Sequence, residues 1–196
     1  MSVPVLTPHS AREQRTFRAL LDGMARPGSL GRAEPHPRGG RLAAAVTILE
    51  AVLDHEVTFA VVPEQADVTE TILRLTGSYA VAPEEADYLL CTGDGIAMGL
   101  RAAKEGTPEY PDRSATIIAL VRNADDLPSL GTPLTLAGPG IDGTHTVRVE
   151  GFPQECREQF AERNAELPMG IDLVLLAPDG AFTCLPRSTR LVGEEE

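Results

Sequence analysis

The sequence predicts an α/β fold: a single layered domain over residues 1–196, with a mixed sheet of about six or seven strands flanked by helices. Three observations predict it. Short apolar runs, the β-branched VTFAVV at 57–62, YLLC at 88–91 and ATIIALV at 115–121, alternate with segments of helical spacing. The final third instead carries apolar runs joined by tight turns, the arrangement of antiparallel pairs. A length of 196 residues, 42% of them hydrophobic and 23% charged, suits one ordinary core.

The first helix is marked by Ser10 and Glu13, spaced as a capping box in which each satisfies an orphan backbone donor of the other. Phe17, Leu20, Leu21 and Met24 follow at i, i+3, i+4 and i+7, the spacing of one buried face. Arg18 lies toward its flank, within reach of Asp22 one turn on. Pro27-Gly28 stops the helix, and the Pro/Gly-rich stretch 31–40 reads as a connector. Residues 41–54 are apolar almost all round, as expected of a helix buried on several sides.

After the strand at 57–62, Val68, Ile72 and Leu75 set a helix that Gly77 ends. YLLC leads through Gly93-Asp94-Gly95 into a helix over 95–104, and a loop with two prolines, 105–114, precedes the apolar strand at 115–121. LTLA and TVRVEG flank the glycine-rich GPGIDGTH as a hairpin, and 153–164 is a helix opened by proline. Pro178-Asp179-Gly180 turns the last two apolar runs back on each other. Residues 1–9 and 192–196 read as frayed tails.

Charge and composition exclude several function classes. The net charge of −12 argues against non-specific nucleic-acid binding, which needs clustered cations. The imbalance is uneven: residues 1–41 carry seven Arg against three acids, a positive arm that either packs against the acidic body or meets an acidic partner or a phosphorylated ligand. No apolar run approaches the roughly 20 residues of a membrane span. The start of the chain lacks a charged region followed by an apolar core, so a secretory signal is not expected and a cytoplasmic location is.

Cys91, Cys156 and Cys184 are odd in number and far apart, and His9, His36, His55 and His145 stand singly, so neither a disulfide framework nor a metal site is expected. Lys104 is the one lysine among seventeen basic residues, and the sequence places it at a solvated helix end.

Candidate catalytic patterns are thin. Gly93-Asp94-Gly95 follows a strand and opens a helix, but it lacks the lysine of a P-loop. The next glycine, Gly99, falls one residue late for a dinucleotide fingerprint, and Asp94 would repel phosphate. It reads as a strand-to-helix turn. Gly138-Pro139-Gly140 could form an anion nest, although a hairpin loop needs those glycines anyway. There is no G-x-S-x-G elbow, and no carboxylate pair stands out in apolar surroundings.

Four stretches, FRALLDGMARPGSL at 17–30, LTLAGPGI at 134–141, ELPMGIDLVLL at 166–176 and CLPRSTRL at 184–191, resemble in order and separation the PhnH family. This family supplies one component of the bacterial carbon–phosphorus lyase system for phosphonate use, and the resemblance covers nearly the whole chain. It implies a homodimer when isolated and a multi-subunit core assembly with subunits G, I and J. That assembly joins a phosphonate to the ribose of ATP, releases adenine and leaves a ribose 1-phosphonate 5-triphosphate. It implies a fold similar to pyridoxal-phosphate-dependent transferases without the cofactor.

The motif residues carried over from the resemblance, Phe17, Met24, Pro27, Gly28, Gly138, Gly140 and Gly170, read as packing and turn chemistry. Arg187 has the best chemical rationale for phosphate or phosphonate oxygens, while an ion pair with Asp172 is the competing reading. Three functions are open at this point: a structural or co-catalytic subunit, a stand-alone transferase with a cleft near Arg187 and Arg18, and a phosphonate sensor.

Overall fold

The computed structural model describes residues 8–125 and 131–193. In chain order the elements are α1 (Pro8–Ala25), β1 (Leu30–Arg32), a 3-10 turn (Gly40–Leu42), α2 (Ala43–Val52), β2 (Thr58–Val62), α3 (Ala66–Thr76), β3 (Tyr79–Ala80) and β4 (Tyr88–Thr92). Next come α4 (Gly95–Ala102), a 3-10 turn (Pro111–Arg113), β5 (Thr116–Leu120), β6 (Asn123–Asp125), β7 (Thr132–Ala137) and β8 (His145–Glu150). The chain closes with α5 (Gln154–Arg163), β9 (Asp172–Leu176), β10 (Ala181–Leu185) and β11 (Arg190–Val192).

A seven-stranded mixed sheet, in the order β1-β10-β9-β5-β4-β2-β3, forms the centre. β3, β2, β4, β5 and β9 run parallel, and β10 and β1 add antiparallel partners at one side. The central strands read as unbroken apolar runs because both faces are covered. Along β4, Leu89 and Cys91 enter one core and Leu90 the other; along β5, Ile117 and Ala119 oppose Ile118. Each fully buried Leu or Ile among them contributes about 1.5–3 kcal/mol. Helices α1, α2 and α3 cover one face, while α4 and α5 cover the other.

A second sheet was not foreseen. The expected hairpin of β7 and β8 gains β11 and β6 at its edges, giving an antiparallel sheet in the order β11-β7-β8-β6. Its Leu134, Leu136, Val147 and Val149 join the core beneath α4 and α5. The three-residue edge strands are too short to carry a period of their own, so they escape a sequence reading. β1 likewise lies where the sequence suggests a connector, paired with β10 through Leu30 and Thr183. Val192, placed by the sequence in a frayed tail, pairs with Thr135; the other tail positions, except the first residues of α1 and Gly193, fall outside the described residues.

Helix α1 differs most from expectation. It starts at Pro8, so Ser10 sits inside the first turns rather than at the cap. Its inward stripe is Thr16, Leu20 and Gly23, continued by Pro27 beyond the helix, while Phe17 and Leu21 are 45% and 54% exposed. Two contacts explain this rotation. Gly23 packs so closely that an added Cβ would stand 2.8 Å from Cys184 Sγ, and Arg12 reaches the buried Glu50 of α2 at 3.3 Å.

Candidate functional site

Arg187, just past β10, meets Asp172 at the first residue of β9. The guanidinium donates to Asp172 Oδ2 at 2.6 Å and Oδ1 at 3.3 Å, and to the Pro111 carbonyl at 2.6 Å; the Arg187 backbone N–H adds a bond to Oδ1 at 2.8 Å. Both side chains are about one-fifth exposed. The fork that would suit an oxyanion is therefore filled by a carboxylate and a carbonyl. Arg18 stands elsewhere, exposed on α1. Arg26, not Arg18, pairs with Asp22, at 3.1 Å.

The glycines of the four sequence stretches turn out to be the points where those stretches touch. Gly140, at φ +83°, lies so near the end of α1 that a Cβ would collide with the Ala25 carbonyl oxygen. Gly170, at φ +136°, is pressed against Asn164 Oδ1 and Arg187 Cβ. Asn164 in turn clamps Ile171, accepting its N–H at 2.8 Å and donating to its carbonyl at 3.2 Å. Gly28 packs on His145 and Leu136, and Gly138 on the Ser188 carbonyl. Segments 25–28, 138–141 and 187–189 thus form one packed seam, with Pro27 and Gly28 buried within it.

Beside α1 lies an apolar groove of about 120 Å³. Its walls are Phe17, Leu20, Leu21 and Met24 of α1 and Ile48 and Val52 of α2, and its floor is the sheet from Tyr88 to Val174. Neither Arg18 nor Arg187 lines it. Burial, with the charges of Asp172 and Asp87, pushes the Tyr88 phenol above its ordinary value, so the floor offers a neutral hydroxyl. Phe17 and Leu21 leave aromatic and aliphatic surface exposed along the α1 wall of the groove.

The one lysine is engaged and the three cysteines are buried. Lys104 donates to Asp87 Oδ1 at 2.6 Å and to the Glu85 carbonyl at 3.0 Å, so it is partly buried and paired rather than solvated. Burial alone would raise Asp87, yet the bonds from Lys104 and from the backbone and hydroxyl of Thr58 hold it below its ordinary value. All three cysteines are buried and free. Burial pushes Cys91 and Cys184 up to about 12, and Cys156 also upward, which leaves them as inert apolar groups. Among the described residues no group of three His, Cys, Asp or Glu could hold a metal, and no helix is long and apolar enough to cross a membrane.

The Gly93-Asp94-Gly95 turn joins β4 to α4 as expected, with Gly93 at φ +54°. Nothing in the sequence signals that Phe17 and Leu21 face outward, because a stripe rotated by one residue has the same period.

A mixed sheet wrapped by helices, an Arg187–Asp172 ion pair at its edge and an open apolar groove beside α1 define the class: a layered α/β protein with an apolar groove on its surface. The particular family is visible in comparison with known proteins. Residues 5–192 match the family model described as bacterial phosphonate metabolism protein (PhnH). The chain is 33% identical over 189 residues to the α-D-ribose 1-methylphosphonate 5-triphosphate synthase subunit PhnH of Rhizobium meliloti (strain 1021), covering 92% of this chain and 90% of that one. It is 28% identical over 180 residues to HtxG of Stutzerimonas stutzeri, provisionally described as a C-P lyase subunit protein, covering 92% and 86%. The chain belongs to the PhnH family.

Proposed function

We propose that this chain serves as the PhnH component of the carbon–phosphorus lyase core assembly in phosphonate catabolism. There it supports ATP-dependent formation of ribose 1-methylphosphonate 5-triphosphate in a structural or co-catalytic role. It is a cytoplasmic single-domain protein of the pyridoxal-phosphate-transferase type built without that cofactor; its one lysine is committed to Asp87. It pairs with itself when isolated and joins subunits G, I and J, in an assembly that takes up phosphonate and ATP.

The observation that carries this reading is the groove beside α1. Phe17 and Leu21 project next to a groove of their own chain. That side-by-side placement of knob and hole is what a two-fold, self-complementary interface needs. Arg18, exposed on the same helix, fits the polar rim that surrounds such a contact, and the Asp172–Arg187 pair acts as a brace. The relative from Rhizobium meliloti, named as a synthase subunit, supports the assembly context. A stand-alone transferase at Arg187 is disfavoured, since substrate would have to displace its bonds to Asp172 and Pro111.

The test is light scattering of the purified chain alone and mixed with subunits G, I and J. One larger co-eluting species is expected. A chain that stays separate with all partners present would overturn the reading.

A further inference from the structure

The carboxyl edge of the seven-stranded sheet holds a cavity that takes no part in the groove or the motif seam. It encloses about 190 Å³ between the amino end of α2 and the ends of β4, β5 and β9. Its walls are mainly apolar, with Leu42, Leu120 and Leu176 prominent, and three polar side chains converge on it: Arg41, Gln65 and Thr92. In open α/β sheets, ligands settle beyond the carboxyl ends of the strands where successive helices leave to opposite faces. That divergence occurs here between β2, whose α3 packs on one core, and β4, whose α4 packs on the other.

We propose that this cavity binds a small oxyanion carrying a short apolar body, which, resting on the function proposed above, is of the alkylphosphonate type. Arg41 supplies the charge. One of its terminal nitrogens donates to Gln65 Oε1, and Gln65 Nε2 donates in turn to Thr92 Oγ1 at 3.2 Å. This chain of neutral groups orients the guanidinium while leaving most of its N–H donors available. No carboxylate pairs with Arg41 among the described residues, whereas Arg12, Arg15, Arg26, Arg32 and Arg187 each hold one.

The amino end of α2, with no side-chain cap, adds partial positive charge on the same side. Asp94 does not line the cavity, so the acid that spoils the glycine turn for phosphate does not face this site. The volume, on the order of six water-sized groups, suits a small phosphonate.

Binding here depends on the cavity and not on assembly, so the test uses the isolated full chain. Propylphosphonate, butyrate and inorganic phosphate are titrated by NMR and calorimetry. Propylphosphonate is expected to saturate one site per chain, about tenfold or more tighter than inorganic phosphate, which has no apolar body. Arg41→Met should weaken it by about tenfold or more, and Ala44→Leu, which fills the cavity, should also weaken it. Thr92→Val, which cuts the relay with little change of shape, should weaken it less. Melting temperatures establish that each variant is folded.

Comparable binding of butyrate that is lost in Arg41→Met would support the site with a carboxylate ligand. Absence of saturation, equal binding of phosphate and propylphosphonate, or folded Arg41→Met binding as wild type does would overturn it. Failure here leaves co-elution with subunits G, I and J unaffected, so the two readings fail separately.

Discussion

At the amino edge of the seven-stranded sheet, Lys104 and Asp87, and Arg187 and Asp172, neutralise each other at 2.6 Å. At the carboxyl edge, Arg41 ends a chain of neutral groups and faces no carboxylate among the described residues. The same parallel strands run between the two edges, so the difference lies in what the loops bring. The amino edge receives loops that carry acids in register with bases and lock the strand starts together. The carboxyl edge receives an arginine, an amide and a hydroxyl around an apolar hollow. One edge is braced and the other is open, and the family's sequence stretches supply much of the brace.

The largest effect expected from this contrast is at Gly170. Its φ of +136° and its contact with Asn164 and Arg187 make Gly170→Ala destabilising by on the order of 3 kcal/mol, read by denaturant unfolding. Asp172→Ala should cost about 2–3 kcal/mol, because it strands a partly buried guanidinium and the backbone N–H of Arg187.

Asp87 sharpens the contrast through pH. Its folded value lies below the ordinary 3.8, so its contribution is fully present above that pH and is lost as pH falls through the folded value. The stability gap between wild type and Asp87→Asn, followed by thermal melts, should shrink in acid. A gap that persists well below 3.8 would contradict the assignment. The smallest effect belongs to the open edge: Thr92→Val should move stability by no more than about 0.5–1 kcal/mol, since it removes one neutral hydrogen bond. If Thr92→Val were as costly as Asp172→Ala, the two edges would not differ as described.

The parallel core was legible because strands buried on both faces are apolar through their centres, as Leu89–Cys91 of β4, Ile117–Leu120 of β5 and Leu173–Leu176 of β9 are. The helix α2 and the Pro178–Gly180 turn were legible for equally local reasons. What stayed hidden depends on partners distant in sequence. The rotation of α1 is set by Gly23 against Cys184 and by Arg12 against Glu50, pairs that no spacing along the helix encodes. The edge strands β1, β6 and β11 take their hydrogen bonds from strands already formed.

The Arg187–Asp172 pair could be named from the two sequence stretches that carry it, but its further bond to Pro111 could not. The relay of Arg41, Gln65 and Thr92 joins three segments with no shared pattern, and nothing in the sequence links them. Phe17 and Leu21 give an apolar spacing that fits a core face and an interface face equally, and only the neighbouring elements decide which it is.

Assembly through the exposed face of α1 is the proposed way in which this chain works. The most direct measurement is the molar mass by light scattering of the wild-type chain beside the double variant Phe17→Asp, Leu21→Asp. Both side chains are half-exposed, so the variant should melt within a few degrees of wild type. A wild-type dimer and a folded monomeric variant are expected. A folded variant that remains dimeric, or a wild-type chain that is monomeric, would contradict it.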